Sequence, residues 1–447
     1  MRLCLGLSSS DRFHALKPSD TIHHMRLTKL FTKTTKSISE ETESINARLL
    51  TRAGFIRQEI AGVYTFLPLG LCVLGKIEAI VREEMNTLGA ELLMPALTSQ
   101  QRWRDTNRLE TVDVLFQAEG ANQASRERNN VTYILNPTHE DIITPIMREF
   151  ITSYKDLPQA VYQIQTKYRN EARAKSGLLR GREFRMKDLY SFHTNEADLM
   201  DFYESTKPVY LRIFDRLGLA EDSFVCFASG GDFTDEYSHE FQVVLPAGED
   251  TIYLDRANRI AYNKEVTTPE DAAKLGVDFT SLEEVRASEA GNIFPLGTKY
   301  SKALQFEYTD AENNRNLVWM GSYGIGTSRL MGIIAEKFAD EKGLAWPEAV
   351  APFRYHLIVL GGESAHAAAA DLMRSVGEDS VLFDDRTDVS AGQKFADAEL
   401  IGCPIRLLVS NKTLERGVIE VVSRRELFEA YDQEIANAVS QLAELAA

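Results

Sequence analysis

Apolar residues recur along the chain at helical spacing in some stretches and in short blocks or alternation in others. Between Leu71 and Leu88 they stand at Leu74, Ile77, Val81, Met85 and Leu88, steps of 3, 4, 4 and 3 that fall on one helix face. Gly89 stops this helix. The run Leu92-Leu93-Met94 then meets Pro95, which suits the end or the edge of a strand. Val131 to Leu135 predicts a short strand, and Ile142, Ile143, Ile146 and Met147 predict the core face of a helix. Thr138 is the expected N-cap of that helix, with Asp141 at capping-box spacing.

Val161 to Thr166 is strand-prone, and a return strand runs from Arg180 to about Phe192 around a basic, glycine-containing loop, Ala172 to Leu179. A short strand at Leu317–Met320 enters Gly321-Ser322-Tyr323-Gly324-Ile325-Gly326. A helix follows from Thr327 or Ser328, with Leu330, Ile333, Ile334 and Phe338 on one side. The last hundred or so residues change character. Strand-like runs at 356–360, 381–383, 405–409 and 418–422 alternate with helical ones at 365–376 and 393–401, which argues for a small α/β domain with a mostly parallel sheet.

Length and charge sharpen this outline. The chain has 447 residues, so two or three domains are expected. Residues 25–346 read as one domain, Pro347–Pro352 as a linker and 353–447 as the second. Residues 1–24 have little periodicity and no apolar core of a secretory signal. They read as an extension or disordered tail upstream of Met25, although Arg2, Arg12 and Lys17 among serines also fit an organelle-transit segment. No run approaches the roughly 18 apolar residues of a membrane span.

Lys and Arg number 50 against 66 Asp and Glu, a net charge of −16, so any nucleic-acid contact must use local basic patches. The four cysteines, Cys4, Cys72, Cys226 and Cys403, are scattered without metal-ligand spacing, so neither zinc nor a disulfide framework is expected and a reducing cytoplasm fits.

Against that acidic background, residues 167–187 carry eight Lys/Arg and only two acids, Glu171 and Glu183. Strand alternation puts Arg169 with Glu171, and Arg180 with Arg182 and Phe184. If the two faces coincide, guanidiniums that clamp phosphates lie beside a ring that stacks on a base. The same residues also make sense as a solvated hairpin of paired charges. Gly324-Ile325-Gly326-Thr327-Ser328-Arg329 is the second candidate: glycines that admit a ligand, a helix N-terminus and an arginine on its first turn. By itself it also reads as a glycine turn at a strand-to-helix junction. The third candidate is Thr138-His139-Glu140, with Ser238-His239-Glu240-Phe241, whose groups suit a small zwitterion but equally suit a helix cap and core histidines.

Taken together and in order, these stretches resemble the class II aminoacyl-tRNA synthetases, and within them the bacterial-type prolyl enzymes. The helix and strand ending at Pro95 resemble motif 1, Thr166–Phe192 resembles motif 2, and Trp319–Leu330 resembles motif 3. Thr138-His139-Glu140 resembles the proline-recognition loop, and residues 238–241, 297–304 and 345–353 also fit. The resemblance covers the chain from about Met25 onward. It implies an α/β (α+β) catalytic core, an antiparallel sheet flanked by helices, followed by an anticodon-binding domain.

It also implies roles. Arg169 grips the α-phosphate and substrate carboxylate, Glu171 faces the adenine side, and Arg180 reaches the γ-phosphate. Phe184 stacks on adenine, Arg329 closes the other side, and Gly324 and Gly326 line the nucleotide. Thr138 and Glu140 hold the proline amine, with His239 and Ser322 near the ring or its carboxylate. ATP, L-proline and tRNA-Pro are the implied ligands, Mg²⁺ the implied ion with no ligand named, and a homodimer built on motif 1 the implied assembly. Arg386, Lys394 and Arg406 are the RNA-contact candidates of the C-terminal domain, although Asp384 and Asp388 offer Arg386 an ion pair instead.

Many bacterial relatives carry an editing domain between motifs 2 and 3. Here only the short segment 250–296 stands there, so no cis-editing of alanyl-tRNA is expected, and leakage falls to a separate trans-editing protein. A pocket for proline cannot exclude the smaller alanine sterically, and each missing methylene gives only ~1–3 kcal/mol of discrimination. Two rivals stand beside this reading. One is a threonyl-type synthetase, which lacks its zinc-binding Cys/His set here. The other is a non-catalytic RNA-binding paralogue, expected to have lost the arginines that are present.

Overall fold

The computed structural model describes residues 25–37, 44–174, 176–234, 236–425, 431–434 and 437. The tail 1–24 lies outside them. The chain divides into two units. Of the described residues, one comprises those of 32–352 with 399–402, and the other those of 353–398 and from 403 on together with 25–31. Residues 25–31 therefore go with the C-terminal unit and not, as the sequence boundary had it, with the catalytic unit. The reason is backbone pairing: Leu27 N donates to Phe383 O at 2.9 Å, Phe383 N donates to Met25 O at 3.1 Å, and Thr28 donates to Asp385.

In the larger unit α1 is Ile45–Arg52, α2 Pro68–Met85, α3 Glu140–Phe150, α4 Glu196–Arg216 and α5 Thr327–Lys337. The strands of its main sheet are β1 (Ala90–Glu91), β2 (Gln159–Tyr168), β3 (Glu183–His193), β4 (Ser223–Ala228), β5 (Ser238–Val244), β6 (Asp250–Asp255), β7 (Ile260–Asn263), β8 (Glu283–Gly297) and β9 (Trp319–Ile325). Among the described residues these nine run in the order β5-β4-β7-β6-β8-β9-β3-β2-β1, and β5 also pairs with β8. The core strands β8, β9, β3 and β2 each run antiparallel to their neighbours, as expected.

The helix read from apolar spacing is α2. Proline at its first position supplies a preset φ, and Leu74, Ile77, Val81 and Met85 are buried along it. Each such side chain contributes roughly 1.5–3 kcal/mol of gross burial energy. The strand after α2 falls two residues earlier than the apolar run suggested, at Ala90–Glu91, and Leu92 makes one further bond to Tyr162 O. Thr138 is not the cap of α3. His139 occupies that position with no side-chain cap, and the Thr138 hydroxyl turns to Glu140 instead.

Three further expectations change. Arg180 and Arg182 precede β3, which starts at Glu183, because a short 3-10 turn at Gly177–Leu179 ends at Arg180. The glycine-rich stretch 321–325 is strand, not loop; it pairs with β3 on one side and β8 on the other. The segment 250–296 holds the β6–β7 pair, the capped helix Pro269–Leu275 and most of β8, so its strands join the main sheet.

The sheet's two faces have separate tasks. Lys187 on β3, Tyr323 on β9 and His239 and Phe241 on β5 turn to α4, where they meet Tyr203, Tyr210 and Phe214. Alternation then sends Phe184, Met186, Asp188 and Tyr190 of β3, Ser322 and Gly324 of β9 and Asn292 of β8 to the opposite face. That face carries the site.

The smaller unit contains α6 (Glu363–Val376), α7 (Ala391–Ile401, most of which it holds) and strands β10 (Tyr355–Leu360), β11 (Val381–Asp384), β12 (Ile405–Ser410), β13 (Val418–Ser423) and β14 (Tyr431–Glu434). Their order is β11-β10-β12-β13-β14. The first three are parallel, but β13 and β14 add antiparallel, so the sheet is more mixed than the alternating pattern suggested. Leu357, Phe383, Leu407 and Val421 pack with Ala365, Ala369 and Leu372 of α6 on one face.

Candidate active site

The site is built where β2 and β3 diverge and where β9 gives way to α5. Arg169 follows β2 directly and its backbone still bonds to Arg182 O at 2.9 Å, so the hairpin fixes its base. Its guanidinium lies 5.2 Å from the centre of the Phe184 ring. Arg329, on the first turn of α5, reaches the same place. Two adjoining recesses share Arg169, Phe184 and Arg329. The first is completed by Glu171, Leu178, Leu179, Arg180 and Gly181, the second by Met186, Glu289, Asn292, Gly324, Gly326 and their neighbours. Gly324 keeps the second recess open: a Cβ there would come within 2.3 Å of the Met186 methyl and 2.7 Å of the Asn292 side-chain oxygen, so both of these lining side chains would have to shift.

The electrostatics suit an anion. Burial is the first cause that lowers the Arg169 pKa, and the like charge of Arg329 is the second. Both guanidiniums stay protonated, so two like charges face each other until an anion neutralises them. Glu289 partly does so: Arg329 donates to its carboxylate at 3.0 Å and to its carbonyl at 2.7 Å. Arg180 is tied more tightly, to Glu171 at 2.9 Å and Glu249 at 3.2 Å. Arg182 is turned away, donating to the carbonyls of Glu171 and Ala61.

Beside this pocket lies a buried carboxylate. Glu140 accepts from Thr138 at 2.5 Å and from Ser322 at 3.0 Å, and Arg108 stands 3.4 Å away. Its charge is among those felt by Arg169. The structure thus brings Thr138, Glu140 and Ser322 together next to Arg169.

It does not bring His239 to them. His239 is on the α4 face, bonded to Tyr203 at 2.8 Å and packed on Phe227, and burial lowers its pKa to about 3. The physical reason is the period of two: its neighbour Glu240 has the other face. Glu240 pairs across β8 with Asn292 and feels Glu289, and burial, then that charge, raises its pKa to about 8. Glu240, Glu289, Asn292, Met186 and Arg108 are the residues missed by sequence reasoning. Glu240 and Met186 sat in recognised stretches; the others reach the site through long-range strand pairing or folding of the 100–112 segment.

Two of the three RNA-contact candidates also find other work. Arg386 donates to both oxygens of buried Asp384, at 2.8 and 2.6 Å, and reaches Asp397 at 2.9 Å. Lys394 is buried and donates to Val359 O and Asp384 O. The internal carboxylates thus pair both charges within the unit. Arg406 is partly buried, 3.4 Å from Glu420 and over the Phe395 ring.

The comparisons with known proteins define the class first. Residues 116–338 match the tRNA synthetase class II core domain (G, H, P, S and T), and residues 355–445 match the anticodon-binding domain. The chain is 40% identical over 431 residues to a proline–tRNA ligase of Rhodopseudomonas palustris (strain TIE-1), covering 90% of this chain and 96% of that one. It is 37% identical over 421 residues to the proline–tRNA ligase of the Wolbachia of Brugia malayi, covering 90% and 95%. Its fold is similar to that of prolyl-tRNA synthetase from Cryptosporidium parvum complexed with halofuginone and AMPPNP, with TM-score 0.73 at 19% identity, over 91% of this chain and 78% of that one. The chain belongs to the proline–tRNA ligase family of class II aminoacyl-tRNA synthetases.

Proposed function

We propose that this protein joins L-proline to tRNA-Pro, first forming prolyl-adenylate from proline and ATP. The observation that carries this is the pair of guanidiniums, Arg169 and Arg329, beside the Phe184 ring and next to the buried Glu140. Family membership supports the reaction, and a Cryptosporidium parvum relative of the same fold was crystallised with L-proline and AMP.

Arg169 takes the α-phosphate and the proline carboxylate, and Arg329 takes the γ-phosphate and the outer face of adenine. Phe184 stacks on the inner face of adenine, with Glu171 at its edge. Arg180 exchanges a glutamate for the γ-phosphate, and Gly324 and Gly326 leave room for the nucleotide. Glu140 and Thr138 accept the two N–H groups of the prolinium, and Ser322 holds Glu140 in place. The carboxylate attacks the α-phosphorus in line, pyrophosphate leaves, and the arginines stabilise the charge that spreads over the phosphoryl oxygens. The terminal hydroxyl of tRNA then attacks the prolyl carbonyl, the acyl–phosphate bond breaks and AMP leaves.

The donor set also fits Mg²⁺. Glu289 and Asn292 line the second recess, and the pKa of Glu240 is raised first by burial and then by the negative charge of Glu289, which a cation would offset. Bound there, the ion supplies charge compensation for the phosphates. Editing is absent from this chain and falls to a trans-acting protein, and the enzyme works as a homodimer.

The test is ATP–pyrophosphate exchange without tRNA across proline, alanine, threonine and serine. Proline-dependent exchange with a weaker alanine signal is the expected outcome. Exchange driven by threonine would show that the fold is right and the pocket misread. Folded protein with no exchange for any amino acid would favour the non-catalytic paralogue.

A further inference from the structure

Below the Thr138–Glu140 loop lies a buried polar cluster that the reaction itself does not use. Lys167, Asp188, His139, Tyr190 and Gln163 are all at most 3% exposed. One oxygen gathers them: Asp188 Oδ2 accepts from Lys167 at 2.8 Å, from Gln163 at 3.0 Å and from Tyr190 at 2.9 Å. Two of these donors then grip His139. Lys167 Nζ meets its ring at Nδ1, and the Tyr190 hydroxyl meets its backbone N–H at 3.1 Å. The third donor, Gln163, accepts at its other end from Met94 N at 2.9 Å, and His139 Nε2 reaches the carbonyl of the adjacent Pro95 at 3.0 Å.

We propose that Lys167 and Asp188 are positioning residues for proline, fixing Thr138 and Glu140 through the ring and backbone of His139 between them. The proposal rests on Thr138, Glu140 and Ser322 being the proline site.

The bonding pattern sets the imidazole's state. An ammonium at Nδ1 requires a lone pair there, so the ring proton sits on Nε2 and is donated to Pro95 O. Burial, then the charge of Lys167, lowers the His139 pKa to about 4, which keeps the ring in this neutral form at working pH. His139 is therefore held at three atoms, and the residues on either side of it are the two that face proline. An apolar filling of the same shape would support the sheet at less desolvation cost than a buried lysine–aspartate pair. What it could not supply is a directional grip on one imidazole. A difference of only a few tenths of an ångström at Glu140 alters both prolinium bonds at once, which is where such a grip is needed.

Proline and ATP KM values in the exchange assay, with thermal midpoints, test this on Tyr190→Phe, His139→Gln, His139→Ala, Lys167→Met and Asp188→Asn. The expected result is a proline KM raised about tenfold or more in Lys167→Met and Asp188→Asn and about threefold in Tyr190→Phe, with the ATP KM within about twofold of wild type. His139→Gln, whose amide can accept from Lys167 and donate to Pro95, should lie nearer wild type than His139→Ala. If the charge variants do not fold, Tyr190→Phe and the two His139 variants decide. A loss confined to the exchange maximum, with the proline KM unmoved in Tyr190→Phe and His139→Ala, would mean a structural role and overturn the proposal. Wild-type exchange indifferent to proline would instead overturn the site reading on which it rests.

Discussion

Arg169 and Arg386 look alike in the sequence, each just past the end of a strand with an acidic residue two positions away, yet the two units treat them in opposite ways. In the larger unit Arg169 and Arg329 share one recess, where burial and then the charge of Arg329 lower the Arg169 pKa, with Glu289 as a partial counter-charge. In the smaller unit Arg386 is enclosed by Asp384 and Asp397, and its bond to Asp384 leads the causes that raise its pKa. A cation left short of counter-charge in a concave place is a binding site; one whose charge is matched internally is part of the frame. Local motif chemistry does not distinguish them, whereas the count of carboxylates that the fold delivers does.

The largest effect should follow from breaking the first arrangement. Arg169→Ala removes the guanidinium that faces both ATP and the Glu140 site, and should lower kcat/KM for proline-dependent exchange by at least about 10³-fold, ~4 kcal/mol, with a thermal midpoint near wild type. Arg329→Ala should follow the same pattern. Activity within about tenfold of wild type in either variant would mean that the recess short of counter-charge is not where the phosphates bind.

The opposite signature is expected in the smaller unit. Asp384→Ala leaves Arg386 and buried Lys394 without their shared carboxylate, and should cost about 3 kcal/mol of that unit's stability. Exchange without tRNA should persist below the melting transition. Arg386→Ala, which leaves Asp384 with only Lys394, should also melt early, by a smaller margin. An unchanged melting curve combined with a raised KM for tRNA would return Arg386 to the role of an RNA contact.

The same contrast separates what sequence could tell from what it could not. The α2 helix, the β2–β3 hairpin and the strand-to-helix step at Gly326 were legible because their signals are local: apolar spacing, alternation and glycine before a helix. So were Arg169, Phe184, Gly324 and Arg329, which stand within or beside those elements. Alternation says that His239 and Glu240 take opposite faces but not which face meets α4, and that choice is made by Tyr203 and Phe241. Asp397 became a partner of Arg386 only because α7 packs against β10 and β12, and Glu289 reaches Arg329 across a strand pairing that joins distant segments. The pairing of residues 25–28 beside β11 is also non-local, which is why the boundary at residue 25 fell in the wrong unit.

Arg180 stands between the two extremes, and the smallest predicted effect sharpens the comparison there. It faces the nucleotide recess, yet Glu171 and Glu249 both hold it, and Glu249 also accepts from Ser176 on the motif 2 loop. Its side chain is 44% exposed, so each ion pair is screened and contributes at most about 1 kcal/mol. If Arg180 must leave a carboxylate to reach ATP, Glu249→Gln makes that exchange easier while keeping a hydrogen-bond partner. The ATP KM should then fall, by no more than about threefold, with the proline KM unchanged. A rise in the ATP KM would mean that Glu249 organises the loop for binding, placing Arg180 with the frame-like cations of the smaller unit and leaving Arg169 and Arg329 as the pair that receives the nucleotide.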